Sequence, residues 1–283
     1  YRALQKDSVA KGSKVVNTQL PSIQFGFIMG GVYHPGMPTY DPNTPLVNVK
    51  VREAINRSIN RTELVNTILG GEGSPQVVWG YHSTLEGWNS DWEKRFQDKY
   101  AYDPARARAL LKEAGYPDGF KTTVVVTSLP GAPEMIDGAQ ALPLYLNKIG
   151  IEVKTVEMEF SKLRELYRAA KTHDLIYPIR GSYRPLEPTL RFYNISGKEG
   201  FHQVVPDNLL NVKYQQFVNS VNGAERERIL KEIGEFKFIN YTEIPIAWLP
   251  GQIVVNPKVV GEYIFPGNIN GPLSHLEYVK PAQ

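Results

Sequence analysis

Residues 102–120 read YDPARARALLKEAGYPDGF, a stretch that contains a short helix together with its start and stop signals. Asp103 is a residue type that accepts hydrogen bonds from the free N–H groups of a first helical turn, and Pro104 suits the first helical position. Gly115 supplies the left-handed residue that often follows a helix end. The turn sequence at 116–119 then leads into the β-branched run 121–127, which predicts a strand. This stretch therefore predicts a helix that feeds a strand.

Helical and strand-like patterns alternate on both sides of that stretch. Before it, Asn48 precedes a helical pattern that runs to about Ser58, and Asn60 with Glu63 three residues later predicts the start of a second helix. The first 45 residues contain two strand-like runs and then a Pro/Gly-rich segment, and strand-like sequence returns from Ile244. The alternation predicts an α/β fold. The remaining predicted helices cover about 133–148, 161–170, 208–220 and 224–240, the predicted strands cover 14–18, 23–29, 151–156 and 174–179, and 181–200 is predicted as a long loop with a short helix.

Four stretches, in the same order along the chain, resemble the bacterial extracellular solute-binding proteins of family 5. These are the peptide, nickel, opine and oligosaccharide receptors of ABC importers. The stretches are 51–65, 102–120, 139–153 and Ile244–Trp248, so the resemblance covers about residues 20 to 260. It implies a periplasmic-binding-protein-like α/β fold of type II, in the large family-5 class.

The resemblance also implies a division of the chain into lobes. In that family one lobe is assembled from the beginning and end of the full chain, and the other lobe is inserted between them. We expect residues 45–240 to form one complete inserted lobe. Residues 1–44 and 241–283 would then be hinge strands and remnants of the first lobe. The chain opens on Tyr1 without an initiator Met, so we expect a processed or truncated product of a longer protein, with a signal peptide lost upstream.

Bulk composition narrows the class of protein. With 283 residues, 42% hydrophobic and 22% charged, the chain has an ordinary globular composition, and no apolar run approaches the roughly 18 residues that span a bilayer. The absence of Cys rules out disulfides and thiolate metal sites, and it is compatible with export. A net charge of +3, with basic residues dispersed among acidic ones, argues against nucleic acid as a partner.

No catalytic or metal-binding pattern emerges from the sequence. The five histidines are far apart, no helical His pair occurs, and no phosphate-binding Gly loop precedes a helix. We therefore expect neither an enzyme nor a protein with a metal or other cofactor.

Aromatic and cationic residues give the candidate ligand-binding set. Trp79 and Tyr81 lie in a polar, Gly-containing segment, and aromatic rings in loops stack on sugars or pack around peptide side chains. The segment from Arg180 follows a predicted strand, where ligand-contacting loops often lie, and Arg binds carboxylates through two parallel hydrogen bonds. Trp88 and Trp92 have the four-residue spacing of one helical face, which favours core packing, and Trp248 is expected to pack near the hinge. The candidate ligand-binding residues are Trp79, Tyr81, Arg180, Ser182, Tyr183 and Arg184.

One position in this set departs from the resembled family. Peptide-binding relatives often carry an Asp that neutralises the α-ammonium group of the peptide. When Glu187-Pro188 is aligned on the family's Asp-Pro, Arg184 stands opposite that Asp. Because a cation cannot neutralise an ammonium group, this alignment favours an anionic, polyhydroxylated or otherwise non-peptide ligand.

The resemblance implies a solute-binding receptor that closes around its hinge and delivers solute to the transmembrane permease of an ABC importer. The expected solute is oligopeptide-like or related, and the alternatives are an oligosaccharide or an opine-type anionic solute. A hydrolase or structural module on the same scaffold is the alternative from another class. We expect a monomer in the periplasm or outside the cell, where a lipoprotein anchor is compatible with the sequence.

Overall fold

The computed structural model describes residues 6–7, 9, 11–31, 35, 37–182, 185–193, 209–264 and 276–283. Its main element is a six-stranded sheet with strand order β2-β6-β1-β5-β3-β4. The strands are β1 (Lys14–Met29), β2 (Ser74–Pro75), β3 (Lys121–Val126), β4 (Glu152–Glu157), β5 (Leu175–Ser182) and β6 (Ile244–Val255), and a separate pair is formed by β7 (Val260–Tyr263) and β8 (Val279–Pro281).

Nine α-helices lie in the part of the chain that the structure describes from residue 49 onward. They confirm the predicted alternation of helices and strands. None of the described helices is long and apolar enough to cross a membrane. The helices are α1 (Val49–Ser58), α2 (Arg61–Thr67), α3 (Asp91–Lys99), α4 (Pro104–Glu113), α5 (Pro133–Lys148), α6 (Phe160–Arg168), α7 (Leu186–Tyr193), α8 (Leu209–Asn219) and α9 (Gly223–Asn240).

Helix α4 begins and ends as its sequence predicts. The Asp103 carboxylate accepts a hydrogen bond from the N–H of Arg106 at 2.9 Å. At the other end Gly115 has φ +93°, and the N–H of Tyr116 reaches back to the carbonyl of Leu111 at 2.8 Å. This is the six-to-one hydrogen bond of a Schellman motif, which is why a residue able to adopt positive φ stands at the helix end.

The strand directions place three carboxyl ends at one edge of the sheet. Strand β3 is parallel to both β4 and β5, whereas β1 is antiparallel to β5 and to β6. Strand β6 therefore runs in the same direction as β5. We call the edge where β3, β4 and β5 end the carboxyl edge, and β6 continues past it to Val255.

Strand β1 is longer than the sequence predicts. The two predicted runs, 14–18 and 23–29, are parts of one strand whose pairing with β6 shifts register between Asn17 and Pro21. Residues 23–29 pair with β5 as well as β6, whereas Lys14–Asn17 pair only with Gln252–Val255. A two-stranded ribbon thus extends past the end of β5, and both flanking segments contribute strands to the sheet that contains β3 and β5.

Two hydrophobic cores hold these elements together. The first core lies between the sheet and helices α1, α4 and α5, and the second lies among α3, α7, α8, α9 and the segment 77–81. Members of the first core include Phe25, Phe27, Val51, Ile55, Trp79, Leu110, Val124, Met135, Leu142 and Ile246. Members of the second core include Tyr81, Trp92, Phe96, Leu186, Leu210, Phe217, Ile229 and Ile233.

Candidate functional site

A row of four residues crosses the sheet close to the carboxyl edge. Ser74 on β2 pairs with Trp248 on β6, Trp248 pairs with Gln24 on β1, and Gln24 pairs with Gly181 on β5. A methyl group on Gly181 would lie 2.5 Å from the Gln24 side-chain nitrogen, so only glycine leaves room for that amide. The row therefore sets the end of β5 directly beside the buried Gln24 side chain.

The Gln24 side chain connects this row to the segment that follows β2. Its oxygen accepts hydrogen bonds from the Gln76 side-chain amide at 2.8 Å and from the backbone N–H of Gly80 at 2.9 Å. These two bonds hold the chain from 76 to 80 against the sheet. Sequence reasoning missed Gln24, because a single Gln in a strand has no ligand-binding signature until its neighbours across the sheet are known.

Arg180 lies next to Gly181, on the face of the sheet that α5 covers. It pairs with Phe25, which in turn contacts Gly138 of α5. The Arg180 side chain is 30% exposed, and its Nε lies 2.9 Å from Oε1 of Glu134, whose side chain is 0% exposed. Among the described residues, none accepts a hydrogen bond from Nη1 or Nη2 of Arg180.

Glu134 stands in the first turn of α5 and was not predicted as a site residue. Burial raises the pKa of the Glu134 carboxyl above its usual value, and the hydrogen bond from its own backbone and the nearby Arg180 charge oppose that rise. A first-turn Glu usually indicates only a favourable helix dipole interaction. Its contact with Arg180 depends on how α5 packs across the sheet, which the sequence alone does not give.

Ser182, the last residue of β5, is half-buried and pairs with Ile23. The next two predicted ligand-binding residues, Tyr183 and Arg184, lie outside the described residues. The structure therefore brings Arg180 and Ser182 together at the carboxyl edge.

The structure places Trp79 and Tyr81 in the interior, which corrects their predicted position in a ligand-binding wall. Trp79 packs in the first core, and its carbonyl accepts a hydrogen bond from Nζ of Lys237 at 3.0 Å. Tyr81 packs in the second core and donates its hydroxyl hydrogen to the carbonyl of Leu230 at 2.7 Å. Burial raises the pKa of Tyr81 well above its usual value, so the phenol stays neutral. Both residues are buried, with Trp79 1% and Tyr81 0% exposed.

The tryptophan pair also differs from its predicted arrangement. Helix α3 begins at Asp91, so Trp88 precedes it and the two rings do not share a helical face. Trp92 is buried, as core packing requires, and its Nε1 donates to a carboxylate oxygen of Glu235 at 2.9 Å. Trp88 is half-buried and meets Trp92 edge-on, with ring centroids 5.5 Å apart.

A cavity of about 380 Å³ adjoins the row where β2 pairs with β6. We call it the aromatic pocket. Trp248 and His82 meet edge-on there with ring centroids 5.5 Å apart, and Nε1 of Trp248 donates to the Tyr81 carbonyl at 3.3 Å. Burial lowers the pKa of His82, which favours the neutral ring. The pocket is lined by Ser74, Pro75, Val77, Tyr81, His82, Ser83, Trp88, Glu93, Phe96, Gln97 and Trp248.

A second cavity, of about 340 Å³, opens at the carboxyl ends of β3 and β4. Its walls combine hydroxyl, amide and carboxylate groups with three apolar side chains, Val126, Ile136 and Met158. The polar walls come from Thr127, Ser128, Gln140, Glu157 and Glu159. Two cavities of sufficient volume for a small molecule thus lie along the sheet, one on each side of β5.

Metal binding finds no support in the described part of the chain. No group of three or more His, Asp or Glu side chains there is placed to hold a metal ion. The prediction that no metal or other cofactor is needed stays a prediction.

Comparisons with known proteins agree with this architecture. Residues 5–202 match the model of "Bacterial extracellular solute-binding proteins, family 5 Middle". Heme-binding protein A of Haemophilus influenzae is 27% identical over 234 residues, which are 77% of this chain and 39% of that protein.

Two solved structures share the fold. The binding protein AgaA in complex with agropinic acid, from A. tumefacien R10, superposes with a TM-score of 0.74 at 20% identity over 94% of this chain and 51% of that one. DppA from Helicobacter pylori in complex with the peptide STSA gives 0.67 at 21% identity over 93% of this chain and 48% of that one. The chain spans about half the length of these two solved structures. It spans 39% of the length of heme-binding protein A.

The family match covers well over half of the chain, and the solved relatives reproduce the sheet and helices described above. The chain belongs to the bacterial extracellular solute-binding proteins of family 5.

Proposed function

We propose that this chain forms one wall of the ligand cleft in a solute-binding receptor of an ABC importer. The observation that carries the proposal is the carboxyl edge, where Arg180 and Ser182 project from the end of β5 beside the row through Gln24. In open α/β sheets, ligands bind in the crevice outside the carboxyl ends of the strands. The aromatic pocket and the polar cavity flank that position.

The receptor closes around a hinge in this proposal. Residues 45–240 form one lobe around the strand segments 23–29 and 244–250, and the rest of 1–44 and 241–283 supplies the hinge strands and parts of the other lobe. The ribbon of 14–17 and 252–255 supports this division, because it leaves the sheet past the end of β5. A solute that contacts both lobes binds the closed form more tightly and so shifts the population toward it.

The proposed solute is oligopeptide-like or a related small molecule. Relatives with this fold are named for heme, agropinic acid and a peptide, so the scaffold accommodates solutes of different chemistry. An oligosaccharide or an opine-type anionic solute is the alternative, and the half-exposed Arg180 favours the anionic one.

The remaining parts of the proposal follow from the receptor role. The partner is the transmembrane permease of an importer. The protein is located in the periplasm or outside the cell, where a lipid anchor is compatible with this role. The receptor works as a monomer without catalysis. The family description and the binding proteins among the relatives support the receptor role and the location outside the cytoplasm.

Calorimetry on the full-length protein tests the proposal, with panels of short peptides, opines and oligosaccharides. We expect one panel to bind with micromolar affinity or better and the solute to be recovered unchanged. Turnover of a bound solute, abolished by one carboxylate substitution, would establish the hydrolase instead. A failure of all three panels would count against the receptor role.

A further inference from the structure

Arg180 has one ion-pair partner, Glu134, among the residues that the structure describes. Its Nε meets Glu134 at 2.9 Å, and no described residue accepts a hydrogen bond from its two terminal nitrogens. A guanidinium has a second fork, formed by Nη1 and Nη2, that binds a planar oxyanion through two parallel hydrogen bonds. With the side chain 30% exposed at the carboxyl edge, that second fork is available to a molecule outside the protein.

Glu134 is placed to orient Arg180 rather than to bind solute. Its side chain is fully buried in the first turn of α5, so solvent does not reach the carboxylate. Helix α5 is fixed against the sheet where Gly138 contacts Phe25, the residue that pairs with Arg180. The carboxylate and the guanidinium are therefore attached to two elements that pack directly on each other, which fixes the direction of the side chain.

The surroundings of Arg180 favour the binding of an anion in addition to the Glu134 carboxylate. Burial raises the pKa of Glu134, and the nearby Arg180 charge opposes that rise. Arg180 also lies near the amino end of a 16-residue helix, where the helix dipole favours negative charge.

We propose that Arg180, oriented by Glu134, forms a subsite that binds a carboxylate of the transported solute. The inference rests on the proposed receptor function and narrows its solute class to carboxylic acids. Arg180 is the contact residue, and Glu134 is a positioning residue.

The test compares acids with their neutral analogues in the full-length protein. The probes are the tetrapeptide Ser-Thr-Ser-Ala and agropinic acid, each as the acid and as the corresponding primary amide, measured by calorimetry. We expect at least one acid to bind about 10- to 100-fold more tightly than its amide, the range given by a charge-assisted hydrogen bond pair. Arg180→Gln should reduce this ratio to about threefold or less by weakening the acid and not the amide.

Glu134 is tested by two variants that separate positioning from charge. Glu134→Gln keeps an oxygen acceptor for Nε, so the acid should bind as tightly as in the unchanged protein or more tightly. Glu134→Ala removes the acceptor and should weaken the acid several-fold while the amide is unaffected. The unaffected amide shows that the variant is folded. Arg106→Gln, which removes an exposed Arg on α4, is the matched control for the loss of a positive charge.

The outcomes separate this inference from the proposed function. If peptides, opines or oligosaccharides bind but acid and amide bind equally, or if neither acid binds, the carboxylate subsite is wrong and the receptor role stands. If Glu134→Ala binds the acid more tightly, Glu134 opposes binding and its positioning role is wrong. If no solute of any panel binds, the receptor role fails and the subsite fails with it.

Discussion

Two predicted ligand-binding regions differ in burial in this molecule. The segment 79–81 and the strand end 180–182 both attract notice as ligand-binding candidates because of their aromatic or cationic side chains. In the first region the Trp79 carbonyl accepts a hydrogen bond from Lys237, and the Tyr81 hydroxyl donates one to the Leu230 carbonyl. In the second region Arg180 has one internal ion-pair partner, Glu134, among the described residues and remains partly exposed. In the proposed receptor, the partly exposed end of β5 contacts the solute and the buried segment 79–81 does not.

The two regions should also differ in how much their side chains contribute to the free energy of unfolding. Paired buried polar groups stabilise the fold, and removal of one partner lowers the free energy of unfolding. Replacement of a half-exposed polar group changes the free energy of unfolding little, because water solvates what remains. Substitutions in the segment 79–81 and its partners should therefore change the free energy of unfolding. Substitutions at the end of β5 should change solute affinity.

The largest effect is expected from Glu243→Ala. Glu243 and Lys237 form an ion pair at 3.0 Å, with side chains 3% and 0% exposed, and Lys237 also holds the Trp79 carbonyl. Burial already lowers the pKa of Lys237, against the attraction of Glu243. Removal of the carboxylate leaves a buried charge without its counter-ion, and we expect a loss of about 3–5 kcal/mol in the free energy of unfolding. Urea denaturation measures it.

The control for that variant is Glu225→Ala, which breaks the exposed pair between Glu225 and Arg228 on α9. We expect no measurable shift of its urea midpoint, because solvent screens exposed pairs. Equal urea midpoints for the two variants would show that the ion pair behind the segment 79–81 contributes no more to stability than an exposed pair does.

Tyr81→Phe tests the interior position of the tyrosine directly. The variant keeps the ring in the second core but leaves the Leu230 carbonyl without the phenol donor. The loss of this buried hydrogen bond should cost about 1–1.5 kcal/mol, and solute affinity should stay within about twofold. A large loss of affinity at unchanged stability would restore Tyr81 to the ligand-binding wall and break the comparison.

A smaller effect is expected from Asp103→Ala, in a part of the chain that belongs to neither region. The variant removes the side chain that caps α4 through the N–H of Arg106. Loss of an N-cap costs about 1 kcal/mol, and solute affinity should be unchanged because α4 packs away from the carboxyl edge against α1. Thermal or urea unfolding together with calorimetry checks both parts. A drop in affinity would mean that scaffold stability, and not local contact, controls binding.

The sequence predicts the scaffold better than the site for a physical reason. Caps and turns such as Asp103 and Gly115 act within a few residues, so the local sequence contains their cause. The direction of the Trp79 side chain depends on the path of a loop between two cores, and the pair of Glu134 and Arg180 joins elements 46 positions apart along the chain. The continuity of β1 likewise depends on its pairing with β6, more than 200 residues later. These long-range contacts are the ones that define the carboxyl edge.

The smallest effect is expected from pH at His82, which lies in the aromatic pocket between the two regions. Burial lowers its pKa below the ordinary value of 6.5, so the folded protein binds this proton less readily than the unfolded chain does. Stability that is complete above about pH 6.5 should therefore fall as pH decreases through that value and the folded pKa. His82→Gln should lose this part of the dependence, so the difference in unfolding free energy between the two proteins should change between pH 7.5 and pH 5. A constant difference would mean that His82 is as well hydrated as in the unfolded chain, which would make the aromatic pocket an open surface like the end of β5 rather than an extension of the core.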